Sequence, residues 1–454
     1  MKQRNHQKRL MQAVCLPLTL CLAFGLAGCG PQTPTDSQPP ASGFETTEPD
    51  GGTTQTPDTA QGEVRILTSG ALHASAGEEG FYLPQVVGDA VLGTVVDFTT
   101  GEQQVLCIQP GCTHDSPDCG AWLRSTGDLG DQAADSCALL RDGDTLLWLV
   151  FDDPLSEGES YADLSAADGS GRTRLADSLP VLCPAWSNWP NGFFSDGESW
   201  YFLTSQDGSD AFLSCLDPDT GALTVTELPD GSPGTMIGTD GGSVLFRQEG
   251  PDGSRQLLAL DPAAARVEAR DSWLSGPHVL GAAARDGTLY GVVRQGESLL
   301  LQAGPADGEP ETMAELPASP DGARAVAASL TGPFEDTLMV DLYFPNAADG
   351  ASTPALRCGV ELDTGACHVM EATWQTDNSP DPPLLLAAGQ DTLWLAVSHS
   401  PAESLTVDPE GTPSRQETST ARTVLARAAA YLTGSDENRP VTMLTGKFTA
   451  HIPH

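Results

Sequence analysis

The chain reads Leu216-Asp217-Pro218-Asp219-Thr220-Gly221 between two short runs of hydrophobic residues. The Asp217 side chain can accept hydrogen bonds from the backbone that follows it, and Gly221 can adopt the positive φ of a tight connection between strands. Related turns stand at Asp97-Phe98-Thr99-Thr100-Gly101 and at Leu362-Asp363-Thr364-Gly365. Because one strand-joining turn recurs along the chain, the sequence predicts repeated β-hairpins.

A longer pattern surrounds these turns and occurs in seven copies. Each copy opens with Asp-Gly or a close variant, continues with a hydrophobic strand and a second strand, and ends in a hairpin. The copies begin at or near Phe81, Asp142, Asp196, Asp240, Asp286, Asp336 and Gln390. Periods of roughly 43 to 68 residues, each with several short strands, are typical of propeller blades.

We therefore predict an all-β fold in which residues 63–454 form a β-propeller with seven blades, six or eight being the alternatives. An array of two-sheet sandwiches is the competing architecture. Ser319-Pro320-Asp321-Gly322 resembles the single-repeat motif of TolB-like propellers, and the whole repeat resembles TolB-like and YWTD-like propellers. We expect the ring to close where a late strand within residues 441–452 pairs with an early one within residues 64–67.

Residues 1–28 have the pattern of an export signal. Four basic residues precede an apolar run from Met11 to Ala27, which suits a signal peptide better than a membrane-spanning helix. The run ends in Leu26-Ala27-Gly28-Cys29, which resembles the lipobox of bacterial lipoproteins. The resemblance implies cleavage before Cys29, lipid on its thiol, and a chain anchored to the extracytoplasmic face of the cell membrane. An ordinary secretory signal with a chance cysteine is the alternative.

Residues 29–62 are rich in Pro, Thr, Ser, Gln and Gly and nearly lack large apolar side chains, so we expect a disordered tether. The formal net charge of the chain is −40, and loss of the leader with its four basic residues and no acids lowers it to −44. A surface this acidic repels phosphate backbones, which argues against nucleic-acid binding. We expect a monomer that meets the membrane through the lipid on Cys29.

Three cysteines and a histidine lie close together in the sequence, at Cys107, Cys112, His114 and Cys119. Three thiols and an imidazole are the ligand set of a structural zinc site, although the spacing is not that of a standard zinc finger. One or two disulfides, with Cys137 as a nearby partner, are the alternative that an oxidising exterior favours. Similar Pro-Gly-Cys-x-His loops occur in bacterial propeller lipoproteins, a resemblance that implies no function.

A second cysteine pair flanks a predicted hairpin. Cys358 and Cys367 stand on either side of Gly359–Ala366, which can bring them opposite each other. We expect a disulfide between them, with two buried thiols on adjacent strands as the alternative.

The sequence carries no Gly-x-Ser-x-Gly, His-Glu-x-x-His, P-loop or dinucleotide fingerprint. Aromatic residues in the links between repeats offer a surface for a ligand, since their rings can stack on sugars or hold peptide side chains. These candidate binding residues are Trp186, Asn188, Trp189, Trp273 and Trp374. Gap filling between blades is the alternative role for the tryptophans.

The absence of catalytic motifs favours a non-enzymatic propeller that binds a ligand, carbohydrate among the candidates, or a partner protein at the cell surface. One alternative is an exported glycan hydrolase or lyase that uses carboxylates in the propeller channel. Another is a scaffold for assembly of the cell envelope.

Overall fold

The computed structural model describes most of the chain beyond the predicted tether. The described residues belong to the compact unit Thr59–His454 and are 62–151, 160–179, 192–204, 211–228, 234–250, 254–318, 322–345, 352–371, 374–375, 380–407 and 413–444. The predicted leader, Cys29 and nearly all of the tether lie outside them, as do Trp186, Asn188 and Trp189. Within these ranges, no helix has the length and apolarity that crossing a membrane requires.

Most described strands belong to four-stranded antiparallel meanders, in which each strand pairs with the next along the chain. Two short strands come first, β1 (Arg65–Ile66) and β2 (Thr68–Ser69). The first meander comprises β3 (Ala74–Ala76), β4 (Gly80–Val87), β5 (Ala90–Asp97) and β6 (Gln103–Val105), with the additional strand β7 (Trp122–Ser125). The second comprises β8 (Cys137–Asp142), β9 (Thr145–Val150), β10 (Tyr161–Ala166) and β11 (Thr173–Ala176).

The third and fourth meanders follow the same plan. The third comprises β12 (Phe193–Ser195), β13 (Trp200–Thr204), β14 (Phe212–Leu216) and β15 (Leu223–Glu227). The fourth comprises β16 (Thr235–Thr239), β17 (Val244–Glu249), β18 (Arg255–Asp261) and β19 (Arg266–Arg270). Two 3₁₀-helical connections lie outside the sheets, a ten-residue segment kinked at Gly130 (Gly127–Ser136) and a single turn (Trp273–Ser275).

Three further meanders complete the described strands. The fifth comprises β20 (Val279–Arg285), β21 (Thr288–Gln295), β22 (Ser298–Gly304) and β23 (Glu311–Leu316). The sixth comprises β24 (Ala327–Phe334), β25 (Thr337–Pro345), β26 (Ser352–Glu361) and β27 (Cys367–Val369), and is followed by the pair β28 (Trp374–Gln375) and β29 (Pro380–Asp381). The seventh comprises β30 (Leu384–Ala388), β31 (Thr392–Val407), β32 (Pro413–Arg427), the helix α1 (Ala428–Leu432) and β33 (Asn438–Pro440).

Hydrophobic clusters lie between the meanders. Six clusters join consecutive meanders, from the first and second to the sixth and seventh. A further cluster packs Phe81 of the first meander against Trp394 of the seventh, with ring centroids 6.0 Å apart. The first strands of neighbouring meanders also contact one another, as β3 contacts β8 and β30. The chain therefore forms an all-β propeller, the predicted fold class.

The second strands of the second and third meanders are hydrophobic along nearly their whole length because both of their faces are covered. In β9 the five residues after Thr145 are all buried, and in β13 every residue is buried. A strand with one solvated face would instead alternate between apolar and polar residues. Packing against a neighbouring meander on each side thus explains the continuous apolar runs that mark the repeat.

The turn chemistry predicted from the sequence is confirmed. Asp217 accepts backbone hydrogen bonds from Asp219 at 2.8 Å and Thr220 at 3.2 Å, and Gly221 has a φ of 70°. Asp97 accepts the equivalent backbone hydrogen bonds from Thr99 and Thr100 in its own turn. Both turns join the third and fourth strands of a meander, so they fix the outer hairpin of the repeat.

The repeat begins one strand earlier than the sequence pattern indicated. The Asp-Gly turns that open the second to fifth copies join the first and second strands of a meander, as Asp286-Gly287 joins β20 to β21. The first strands were missed because several are short or carry small side chains: β3 reads Ala-Ser-Ala, and β20 contains three consecutive alanines.

The predicted closing pair of strands is wrong. Arg65–Ile66 pairs with β12 of the third meander, and Val64 is buried in the cluster between the third and fourth meanders. The seventh meander instead meets the first through a parallel bridge between Thr442 and Glu102. Burial of Val64 therefore places the early strand Arg65–Ile66 beside the third meander. The late segment around Thr442 pairs instead with Glu102, in the outer hairpin of the first meander.

Candidate functional site

The Cys/His cluster lies on an insertion that divides the outer strand of the first meander. β5 pairs with β6 along Thr94–Val96 and with β7 along Ala90–Leu92, so β6 and β7 are two halves of one edge. Residues 106–121, which we call the metal loop, connect the halves. The loop is fastened at both ends on Gly93, whose N–H donates to Ala121 and whose carbonyl accepts from Leu106.

The metal loop brings together all four residues predicted as a metal or disulfide cluster. The ligand atoms of Cys107, Cys112, His114 and Cys119 all lie within 4.8 Å of one another. His114 Nδ1 lies 3.3 Å from Cys119 Sγ, and His114 itself has a positive φ of 61°. The three cysteines are free thiols, as are the four other cysteines among the described residues.

These distances fit a tetrahedral zinc ion. With Zn–S bonds of about 2.3 Å, two sulfur ligands stand about 3.8 Å apart, a spacing close to that of the cluster. Cys119 is buried and the other three residues are half-buried, so a bound ion would be shielded from solvent on one side. Four protein ligands leave no position for water or substrate, which is the composition of a structural site and not of a catalytic one.

Backbone N–H groups are aimed at the thiols. The N–H of Ala121 donates to Cys119 Sγ at 3.4 Å. Burial raises the pKa of Cys107, but hydrogen bonds from Gln109, Cys119 and Gly120 outweigh it and lower the pKa overall. Burial raises the pKa of Cys119 to about 12. Such donors supply the outer-shell stabilisation that metal-bound thiolates receive in proteins.

Arg172 holds the end of the metal loop against the second meander. Its Nη1 donates to the carbonyls of Gly120 at 3.0 Å and Trp122 at 2.8 Å, and its Nε donates to Asp163 Oδ2 at 2.8 Å. The guanidinium carbon stacks 4.2 Å from the ring centroid of Trp148. Sequence reasoning missed this residue because an isolated arginine in a turn gives no pattern, and only the fold shows what it reaches.

A cavity of about 740 Å³ lies at the turns that join the first and second strands of several meanders. We call it the turn-face cavity. Its walls come from the first, fifth, sixth and seventh meanders, and they carry Glu78, Asp286, Glu335, Asp391 and Arg285 beside Phe98 and Tyr290. Because the first strands of neighbouring meanders contact one another, these turns lie around the centre of the sheet arrangement.

The predicted aromatic surface is only partly described. Trp273 donates from Nε1 to the Pro305 carbonyl at 3.2 Å and packs on the cluster between the fourth and fifth meanders, which is the gap-filling arrangement. Trp374 lies in β28. Trp186, Asn188 and Trp189 lie outside the described residues, so ligand binding by the aromatic set stays a prediction.

Cys358 and Cys367 lie on one face of the outer hairpin of the sixth meander, but not directly opposite each other. Cys358 is opposite Val369 and Cys367 is opposite Val360, so the two thiols are diagonal neighbours. They are free thiols, and a hydrogen bond from Cys358 lowers the pKa of Cys367. The predicted position needs this correction, and the disulfide itself stays a prediction.

Comparisons with known proteins find similar solved structures, whereas the sequence comparisons find no match. No family model matches it, and no curated protein matches it. Among solved structures it is similar to one of two prolyl endopeptidases, with a TM-score of 0.39 and 13% identity over 80% of this chain and 47% of that one. It thus corresponds to about half of that longer protein.

Two further structures show weaker likeness. TolB from Acinetobacter baumannii has a TM-score of 0.32 and 14% identity over 78% of this chain and 76% of that one. An oligogalacturonate lyase in complex with manganese has a TM-score of 0.31 and 13% identity over 64% of this chain and 88% of that one. TolB is thus a structural neighbour, as the sequence resemblance suggested, and these likenesses carry no argument about activity.

Proposed function

We propose that this protein is an extracytoplasmic lipoprotein, anchored at Cys29, whose seven-bladed propeller carries a structural zinc centre and binds a ligand or partner protein without catalysis. The turn-face cavity carries the binding function, because it is a concave site to which four meanders contribute. Each part of the proposal has its own support and its own test.

The blade count rests on the hydrophobic clusters. Six clusters join consecutive meanders, and the cluster around Phe81 and Trp394 joins the last to the first. If each meander is one blade, every blade has two covered faces and the ring of seven is closed. Cross-linking a cysteine introduced at Thr442 to one at Glu102 tests the closure, since these positions bridge only when the first and seventh blades are neighbours.

The zinc centre rests on the donor set of the metal loop, three thiols and one imidazole with three backbone N–H groups aimed at the sulfurs. Bound zinc would hold the loop between β6 and β7 in one conformation. Purification without added metal followed by elemental analysis should give one zinc per chain. Disulfides in place of zinc would appear as a loss of titratable thiols with no metal.

The turn-face cavity suits a positively charged ligand. Four carboxylates and one arginine line it, and the Tyr290 and Phe98 rings provide apolar surface beside them. Glu78 and Asp391 are exposed, so they can meet a ligand without first being uncovered. A lysine- or arginine-bearing segment of a partner protein has the matching charge, and the local field also speeds its association.

The test measures binding of the soluble fragment 63–454 to an array of basic, neutral and acidic peptides. We expect selective binding of basic peptides, which the double change Glu78→Gln and Asp391→Asn weakens at least tenfold. Asp307→Asn is the matched control, because it removes an exposed carboxylate outside the cavity. An equal loss of peptide affinity in the control would show that only the net charge of the protein matters, and it would contradict binding in the turn-face cavity.

Membrane attachment depends on one residue. The change Cys29→Ser should move the chain from the membrane fraction to the soluble fraction and abolish labelling by radioactive fatty acid. Retention at the membrane by the unlabelled variant would show that another feature attaches the protein.

The carboxylates of the turn-face cavity also keep the glycan hydrolase or lyase alternative open, because paired acids are what such enzymes use. Turnover of a polysaccharide that the Glu78→Gln and Asp391→Asn variant loses would replace the binding function by an enzymatic one.

A further inference from the structure

The metal loop and the second meander enclose a second cavity, distinct from the turn-face cavity. It has a volume of about 600 Å³, within the range of small-ligand sites. Its lining comes from the end of the metal loop, from β7 and from the outer strands of the second meander. We call it the arginine cavity, after Arg124, Arg172 and Arg174 in its lining.

The charge of this cavity is opposite to that of the molecule as a whole. The chain has 62 acidic and 22 basic residues, yet three arginines and only two carboxylates, Asp118 and Asp163, line the cavity. Asp163 is 6% exposed and contacts both Arg172 and Arg174, so its charge is already compensated. The cavity therefore presents net positive charge in an acidic protein.

The two arginines that hold Asp163 differ in what they can still bind. All three nitrogens of Arg172 have partners, since Nη2 lies 2.8 Å from Asp163 and 3.3 Å from the Tyr161 hydroxyl. Arg174 donates from Nε to Asp163 and stacks 3.9 Å from the Tyr161 ring centroid. Within the described part of the chain, its Nη1 has only a 3.7 Å ion pair with Asp177, whose side chain is 92% exposed.

A ligand carboxylate can therefore replace Asp177 at Arg174. An exposed ion pair contributes little free energy, whereas a guanidinium that is already fixed in place can form two parallel hydrogen bonds to a carboxylate. Stacking on Tyr161 and the bond to Asp163 fix the Arg174 plane before the ligand arrives, which reduces the entropy that binding costs.

The remaining lining suits a polar ring. Trp122 is half-buried and lines the cavity beside the exposed Ser125. Aromatic surface next to hydroxyl and guanidinium groups is suited to a sugar, whose faces are apolar and whose edges carry hydroxyls. We propose that the arginine cavity binds a sugar acid of one or two rings, with its carboxylate on Arg174 and a ring face on Trp122.

The zinc centre and this cavity share a residue. Gly120 donates its N–H towards Cys107 Sγ, and its carbonyl accepts from Arg172. Cys119 and Gly120 also line the cavity. In this respect the inference rests on the proposed zinc centre: removal of zinc would free the loop end and lower the affinity of the cavity for its ligand.

The test is calorimetric titration of the zinc-loaded fragment with glucuronate, galacturonate and mannuronate, each matched with its neutral sugar. We expect at least one uronate to bind at least tenfold more tightly than its neutral partner. Arg174→Met keeps the apolar stem over Tyr161 and should abolish the preference. Arg266→Gln, in an exposed ion pair outside the cavity, is the matched control and should keep it.

A second variant protects the test against misfolding. Asp177→Asn removes only the charge of an exposed side chain. It should tighten uronate binding two- to threefold, because the competing carboxylate is gone. No carboxylate-dependent binding across the three pairs would overturn the proposal, as would a preference that survives Arg174→Met.

Elemental analysis of the fragment purified without added metal, together with its titration by the same uronates, separates the two proposals. A uronate preference in protein without zinc would sustain the cavity and overturn the zinc centre. Stoichiometric zinc without any uronate preference would overturn the cavity alone.

Discussion

The outer hairpins of the first and sixth meanders both carry cysteines, but they differ in the continuity of the edge strand. In the first, the edge is divided into β6 and β7, and the metal loop between them gathers four ligands. In the sixth, β26 pairs with β27 across a short turn, and Cys358 and Cys367 can meet only as diagonal neighbours. The interrupted edge of the first meander therefore gathers four residues that could hold a metal ion, whereas the continuous edge of the sixth brings together two thiols.

Among the changes that test this comparison, substitution of a proposed zinc ligand should alter the free energy of unfolding most. We expect Cys112→Ser to abolish zinc binding and to lower the free energy of unfolding by more than about 4 kcal/mol, because the binding free energy of a structural zinc is part of the folding free energy. Elemental analysis and denaturant unfolding measure both quantities. Cys215→Ser, outside the cluster, is the matched control.

The buried carboxylates beside the two hairpins sharpen the comparison. Asp163 contacts Arg172 and Arg174 near the metal loop, and Asp341 forms a two-bond pair with Arg357 in the sixth meander. Asp341→Asn should cost about 3 kcal/mol of unfolding free energy, since it leaves the buried Arg357 guanidinium without its counter-charge. Asp163→Asn should cost less, because the side chains of Arg172 and Arg174 are 14% and 41% exposed and solvent screens their charges.

Of these two substitutions, only Asp163→Asn should weaken zinc binding. Because Arg172 holds the carbonyl of Gly120, Asp163→Asn should release zinc to a competing chelator at a lower chelator concentration than the unchanged protein. The Asp341→Asn variant should match the unchanged protein in that titration. Equal zinc retention in both variants would separate the arginine contact from the metal centre.

Oxidation of the sixth meander should have a smaller effect. A disulfide between Cys358 and Cys367 closes a short loop and should add about 2 kcal/mol to the free energy of unfolding. Thiol counting and melting curves with and without reductant measure the change, and Cys358→Ser should remove the dependence on reductant. Reductant sensitivity that persists in this variant would assign the effect to the metal loop.

Removal of an exposed ion pair should change the free energy of unfolding least. Arg266 and Glu268 lie 3.3 Å apart with side chains 62% and 58% exposed. Glu268→Gln should change the free energy of unfolding by less than about 0.5 kcal/mol, because solvent screens such pairs. A larger loss in denaturant unfolding would mean that the fourth meander is less stable than its neighbours and that the other comparisons need rescaling.

The sequence predicted the parts of the molecule that local chemistry determines. The Asp217 turn, the apolar second strands and the gathering of Cys107 with Cys119 all follow from side chains near one another in the chain. The first strands escaped prediction because their burial comes from neighbouring meanders and not from their own composition. The same holds for Arg172, whose partners lie about 50 residues earlier in the sequence.

The pairing of β1 with the third meander shows the limit of arguments from chain order. A segment near the start was expected beside the end of the chain, because closure by the termini protects sheet edges. Burial of Val64 between the third and fourth meanders placed it elsewhere. Which neighbour a two-residue strand chooses is a tertiary preference that its own sequence does not encode.

The cluster that joins Phe81 to Trp394 also orders events during synthesis. The first meander is made early, and its partner face is made only after more than 300 further residues. At synthesis rates of about 5–20 residues per second, the apolar face around Phe81 stays uncovered for tens of seconds. A nascent chain of this architecture therefore exposes apolar surface to which chaperones can bind until its last meander is complete.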